Sequence, residues 1–358
     1  MLRCNSATSM LLRLRFASVL LSLLACWCAL VVYLEWSPPA SLLRHYRSPA
    51  GPAGRHAASS RGDVGPPSTS PATSVLTTDP GTKGVPGMHV MAVGDSSSLG
   101  GLMVAVNSVL LHTARPVTFH LLTTAEERTH LRTWIESTKL HTMTYTILPA
   151  VGKTRLRLAK TLLPELLPRA LRGPVLYLDP DTVVQGDLWE LVSAPLGATQ
   201  VGAFSQDCTG RARGWTGPWD ARLEGAGLDP TACPLATGAF VAQLDRWRAQ
   251  NITQRLHLWL DALAREPMVG PHSALDQVDV AMSLVLHGRV SSLPPLWHVQ
   301  HLGTSGKRHS KQFVERARLL RWSGRLKPWM ARAHHAEVWE RYLVPDPTGQ
   351  FRPGRKRG

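Results

Sequence analysis

Asp179-Pro180-Asp181 is the part of this sequence whose residue types and spacing are best suited to chemistry. Two carboxylates two positions apart, at the end of an apolar run, can converge on a hard divalent cation. Mn²⁺ or Mg²⁺ prefers oxygen ligands and can bridge a diphosphate. A metal held there would neutralise charge on a departing nucleoside diphosphate. The same spacing also suits a plain strand-to-turn transition, with an aspartate on each side of a proline. A second polar segment, Asp95-Ser-Ser-Ser-Leu-Gly-Gly101, follows another apolar run and is a candidate ligand loop.

The elements around these segments must position them. MHVMAVG (88–94), VTFHLLTT (117–124), TMTYTILP (142–149) and PVLYLDPD (174–181) read as strands, the last stopping on the two carboxylates. Amphipathic patterns predict helices over 102–112, 125–140 and 158–167, the last with a late proline. Strand–helix alternation of this kind predicts an α/β sheet, largely parallel, with helices on both faces. Ligands on such sheets bind beyond the carboxyl ends of the strands. The loop at 95–101 and the carboxylates at 179–181 both fall there.

The flanks have a different character. Phe16 to Leu34 holds nineteen residues without a charge, about 28 Å of helix and close to the hydrocarbon thickness of a bilayer. Arg3, Arg13 and Arg15 precede it, which keeps the amino terminus in the cytosol. A cleaved signal peptide is the competing reading, but Tyr33-Leu-Glu-Trp36 makes a poor cleavage site. The expected organisation is a cytosolic tail at 1–15, a transmembrane signal anchor at 16–36, a disordered luminal stem at 37–87, a globular domain at 88–351 and a basic tail at 352–358. The stem is rich in Ser, Pro, Gly, Ala and Thr and has too few large apolar side chains to fold. Asn251-Ile-Thr253 is a glycosylation sequon. Cys208 and Cys233, the two cysteines beyond the anchor, are expected to be bridged in an oxidising lumen, against two buried free thiols as the alternative.

The net charge of +15 suits an anionic ligand. Without a basic stripe, an RNP-like run or a zinc module, it gives no ground for nucleic-acid binding. The fifteen histidines form no zinc pattern, and His298, His301, His334 and His335 read as structural or solvent-facing. A nucleophile elbow, a Walker loop and a kinase signature set are absent from the sequence.

LYLDPDTVVQGDLWEL (176–191) resembles the D-x-D region of family 8 glycosyltransferases, retaining enzymes of the GT-A type. The resemblance continues in WIESTKL (134–140), FSQDC (204–208), LDPTACP (228–234) and PLWHVQHLG (295–303). It extends through LLRWSGRLKPW (319–329) and VWERYLVPDPTGQF (338–351), and it is nearest to the vertebrate glycosyltransferase 8 domain-containing proteins. It implies a GT-A fold with a Rossmann-like mixed sheet. It also implies transfer of a hexose or pentose from a UDP-sugar to a glycan or glycoprotein acceptor, with retention, in the Golgi membrane. Asp179 and Asp181 match the metal-binding pair, and Asp95 the nucleotide-contacting loop. Gly324 and Lys327 fall in the segment that closes over the diphosphate. Asp276-Gln277 matches the pair near the anomeric carbon, although Asp276 also suits a helix N-terminus. Anchored enzymes of this kind often dimerise, so a homodimer is a further expectation.

Four positions depart from the family pattern. Its third metal ligand, a histidine, is replaced by Arg321, which cannot ligate a metal. An Asn before Gly238 is replaced by Ala236, an Arg by Lys160, and the middle of the D-x-D is Pro180. Three readings of Arg321 follow. It substitutes for the metal as a fixed cation; or the site has decayed into a pseudoenzyme that binds a nucleotide, a glycan or a partner; or Arg321 faces away, leaving the metal to two aspartates and water.

Overall fold

A computed structural model describes residues 87–208, 233–265, 276–305 and 309–354. The expected anchor and all but the last residue of the stem lie outside the described residues. Among the described residues, no helix is long and apolar enough to cross a membrane.

In chain order the elements are β1 (Met88–Val93), α1 (Leu99–His112), β2 (Val117–Leu122), α2 (Arg128–Glu136), β3 (Thr144–Ile147), α3 (Lys153–Arg157), α4 (Leu163–Leu166), β4 (Pro174–Leu178), β5 (Thr182–Val184) and α5 (Trp189–Val192). They continue with β6 (Gly202–Gln206), β7 (Leu235–Gln243), α6 (Leu244–Ala249), α7 (Ile252–Arg265), α8 (Gln277–Leu286), β8 (Val290–Ser292), α9 (Lys311–Arg316), β9 (Leu319–Arg321) and α10 (Ala336–Glu340).

The apolar runs become the central strands because both faces of the sheet are covered. On β1 and β4, Val90, Ala92, Leu176 and Leu178 face one core with α1 and α2. Met91, Val93, Val175 and Tyr177 face the other, with α7 and α8. The sheet runs β3-β2-β1-β4-β7-β6-β8. Its β3-β2-β1-β4 part is parallel, whereas β7 lies antiparallel to both β4 and β6. The sheet is therefore mixed. The antiparallel pairing brings the start of β7 beside the exit of β4, where the Asp179 N–H donates to the Gly238 carbonyl at 2.7 Å. Phe204 and Phe240 stack with centroids 4.4 Å apart, and Phe240 stacks on Tyr177 at 5.1 Å. This aromatic column fixes the residue two before Asp179.

A small second sheet pairs β5 with β9, placing Thr182 opposite Arg321. The Trp322 N–H extends it to the Asp181 carbonyl at 2.9 Å. These two segments are far apart in sequence, and the ladder carries residue 321 to the D-x-D.

Two predicted helices change shape. The one expected over 125–140 ends at Glu136 and gives way to a 3₁₀ turn at Lys139–Thr142. The one expected over 158–167 is broken into a 3₁₀ turn at Ala159–Thr161 and the short α4. Pro164 has no N–H for the carbonyl four residues back, so a continuous helix cannot pass through it. α1 starts at Leu99 rather than at residue 102, so Gly100 and Gly101 are helical. Cys208 and Cys233 are joined by a disulfide, with Cα atoms 4.9 Å apart.

Candidate active site

Alternation along a strand puts Tyr177 and Asp179 on one side of the β4 exit. The Tyr177 hydroxyl donates to Asp179 Oδ1 at 2.9 Å. Burial and the adjacent Asp179 both push the phenol well above its ordinary pKa, so it stays a donor. Asp179 Oδ2 accepts from Arg321 Nη2 at 2.7 Å, with Lys160 Nζ at 3.5 Å. Asp181 Oδ1 accepts from Arg321 Nε at 3.3 Å, and Asp181 Oδ2 from Lys327 Nζ at 2.5 Å. One guanidinium thus spans both carboxylates of the pair, and the reading in which Arg321 faces away is overturned.

The opposite flank is built from the start of β7 and from α8. Lys160 Nζ donates to Thr237 Oγ1 at 3.0 Å and reaches Asp279 Oδ1 at 3.4 Å. Thr237 donates in turn to Asp279. The result is three cations (Lys160, Arg321, Lys327) interleaved with three carboxylates (Asp179, Asp181, Asp279), formally neutral as a set. Burial pushes Asp181 up, but Arg321 and Lys327 outweigh it and hold the carboxyl below its ordinary value. For Asp279, Lys160 and Arg321 likewise outweigh burial. Burial pulls Lys160 down, and Asp179 and Asp279 bring it back above the usual lysine value.

Glycines make the room. A Cβ on Gly238 would overlap the Arg321 guanidinium. One on Gly101 would overlap the Pro180 carbonyl and the Trp329 ring, so the helical glycine lets α1 sit against the D-x-D. Gly324 has φ +111° and presses against Gly303, a conformation that excludes side chains. This close approach turns the chain so that Lys327 Nζ can reach Asp181 and also donate to the Trp322 carbonyl at 3.2 Å.

Asp95 stands at the exit of β1. Its Oδ1 accepts from Ser97 Oγ at 2.8 Å and Ser98 Oγ at 2.7 Å. Burial raises its pKa, but the bonds from Ser98 and Ser97 outweigh that and keep it low. Asp276 and Gln277 make their contacts outside the cluster. Asp276 caps α8 through the Val278 N–H at 3.0 Å and pairs with Arg157 at 3.2 Å. Gln277 Nε2 donates to the Leu263 carbonyl at 3.4 Å. The carboxylate that α8 delivers to the cluster is Asp279, three residues on. Asn251 is exposed at the start of α7.

Sequence reasoning missed Tyr177, Thr237 and Asp279. Tyr177 carried a signal in its two-residue spacing from Asp179; the other two depend on tertiary pairing. Of the two readings of His298, structural or solvent-facing, the structure excludes the second. His298 is buried, held at φ +66°, and neither ring nitrogen has a partner among the described residues. Burial, then the positive Arg321, push its pKa to about 3, so it is a neutral imidazole.

The arrangement does not fit a divalent metal. Each of the four carboxylate oxygens of the pair already accepts a proton-bearing group, three of them from cations. A 2+ ion would have to displace the guanidinium and then sit among three positive charges. Among the described residues, no group of three or more His, Cys, Asp or Glu is placed to hold a metal ion.

A mixed sheet with a charged D-x-D at its central strand exit defines a GT-A glycosyltransferase. Solved structures agree on the fold. The galactosyltransferase LgtC, described in complex with donor and acceptor sugar analogs, superposes with TM-score 0.54 at 18% identity, over 74% of this chain and 100% of that one. The bifunctional glycosyltransferase WbbM gives 0.55 at 17% identity, over 76% and 52%. The chain belongs to glycosyl transferase family 8, whose profile matches residues 89–333. It is 35% identical over 299 residues to glycosyltransferase 8 domain-containing protein 1 of Xenopus tropicalis, spanning 75% of this chain and 80% of that one. The human protein of that name is 33% identical, over 73% and 78%. Protein 2 of Macaca fascicularis is 32% identical, over 71% and 81%.

Proposed function

We propose that this chain transfers a hexose or pentose from a UDP-sugar to a glycan or glycoprotein acceptor, with retention, on the luminal side of the Golgi membrane. One observation carries the reading: a partly open set of cations at the carboxyl end of β4, the strand that lies parallel to the β1 that leads into the Asp95 loop. Lys327 is 31% exposed at its side chain. Its ammonium and the Arg321 guanidinium are suited to the charge that grows on a departing diphosphate.

In the reaction, the acceptor hydroxyl oxygen bonds to the anomeric carbon as the bond to the β-phosphate oxygen breaks. The bonding pair leaves with UDP, and the hydroxyl proton passes to the departing phosphate oxygen. Attack on the face that the diphosphate leaves gives retention in one step. The alternative, assistance by Asp276 or Gln277, is less well supported, because those side chains are committed to Arg157 and the Leu263 carbonyl.

The luminal, anchored setting rests on the charge-free run at 16–34 and its preceding arginines. The Cys208–Cys233 bond and the exposed Asn251 are in keeping with an oxidising, glycosylating compartment. The test is UDP release by the full-length chain in detergent, over a panel of UDP-sugars with glycan acceptors. The expected result is acceptor-stimulated release with one donor, and a product whose NMR coupling constants show the donor's anomeric configuration. Release no faster than in buffer for every donor would overturn the proposal.

A further inference from the structure

The guanidinium of Arg321 is used asymmetrically. Nε and Nη2 bind the two carboxylates, whereas Nη1 is bonded to nothing among the described residues. The Lys327 ammonium likewise spends two donors, on Asp181 and the Trp322 carbonyl, of the three it carries. Two fixed cations with spare N–H groups therefore lie side by side on Asp181, one of them partly exposed. Planar guanidinium donors and a compact ammonium are both well matched to phosphate oxygens. The position is held by construction: the β5–β9 ladder sets Arg321 opposite Thr182, and Gly238 leaves the space its guanidinium fills.

We infer that this chain holds the donor's diphosphate with its own fixed cations, Arg321 and Lys327, in place of a divalent metal ion. The inference rests on the donor-site reading above. The aspartate pair then has a changed task. Instead of ligating a metal, Asp179 and Asp181 hold the guanidinium and the ammonium in place, and the ligand meets the N–H groups that those bonds leave over. Lys160 completes the set from behind, tied to Thr237 and Asp279 rather than to the ligand.

Calorimetry of UDP binding to the full-length chain in detergent tests this, first in EDTA and then in excess Mn²⁺. The expected dissociation constants agree within about threefold. Tightening by Mn²⁺ of more than about tenfold would overturn the inference and leave the donor site standing. Absence of binding in both buffers would overturn the donor-site reading itself, and the inference with it.

Two variants sharpen the result. Arg321→His replaces the guanidinium by an imidazole with a lone pair that can join two carboxylates around a metal. It is expected to bind Mn²⁺, seen by loss of the free-ion EPR signal, and to need Mn²⁺ for UDP. Arg321→His that binds UDP in EDTA as tightly as the parent would sink the idea. Lys327→Gln changes a partly exposed side chain and spares the ladder. It should weaken metal-free UDP binding by about tenfold, and unchanged binding would count against the diphosphate clamp.

Discussion

The two ends of β4 are both charged, but in opposite ways. At its amino end, Arg172 and Asp245 pair at 3.5 Å with side chains 67% and 50% exposed. At its carboxyl end, Arg321 and Asp179 pair at 2.7 Å with both side chains 13% exposed, inside a set of six charges. The first kind of pair is screened by water and contributes little. The second must overcome the desolvation of every member, and apolar residues of similar volume would often be as stable. Six charges packed together beside a sheet crevice, three of them (Lys160, Asp179 and Asp181) buried and the others half-buried, are therefore better explained by a task than by stability.

The comparison would break if the buried set proved dispensable. Arg321→Ala leaves Asp179 and Asp181 facing each other without their shared cation, and should cost about 3–5 kcal/mol in urea unfolding. A loss below about 1 kcal/mol would mean that water fills the gap and the two ends of β4 are alike.

Acid should act on the carboxyl end. The carboxyls of Asp181 and Asp279 are depressed below their ordinary values, so the unfolded chain binds their protons first. Their contribution is complete above the ordinary carboxylate pKa and is lost as pH falls through the folded values. His120 and His298 add to the slope: with folded values of about 4 and about 3 against 6.5, they resist protonation in the native state. The unfolding free energy, read in urea, should fall from pH 6.5 downward through the histidines and more steeply below about pH 4 through the carboxyls, on the order of 1 kcal/mol per pH unit for each group while it titrates. His298→Gln should flatten the upper part of that curve; an unchanged curve would show that His298 is not buried neutral.

Smaller effects sharpen the contrast. Asp279→Asn removes one of the two carboxylates facing Lys160 and should cost about 1–3 kcal/mol. Arg172→Ala, at the exposed end, should change stability by less than about 1 kcal/mol. The same chemical unfolding series reads both, and the second should be the smaller.

Legibility in the sequence followed the range of the interactions. β1, β2 and β4 were readable because a strand buried on both faces is a continuous apolar run. Asp179 and Asp181 were readable because they are neighbours, and Arg321 stood out as a departure from a resembling pattern. Which way Arg321 faces was not readable, because that depends on β5 pairing with β9, more than a hundred residues away. Asp276-Gln277 drew the eye as a motif, yet the helix turns Asp279 toward Lys160 and leaves Asp276 to cap it. The break around 158–167 has a local cause, whereas the early start of α1 depends on distant contacts. Pro164 interrupts a helix, while Gly100 and Gly101 look like loop residues until the Pro180 carbonyl, Trp329 and Phe351 are seen against them.

The short β5–β9 ladder also constrains what insertions and deletions the gene can tolerate. Side chains alternate along a strand, so moving the pairing by one residue turns each of them to the other face. A single codon gained or lost within 182–184 or 319–321 would rotate the guanidinium away from both aspartates, with Arg321 still encoded. Length variation should therefore be absent from these two triplets in functional chains of this type, even where the residue at 321 itself is free to change.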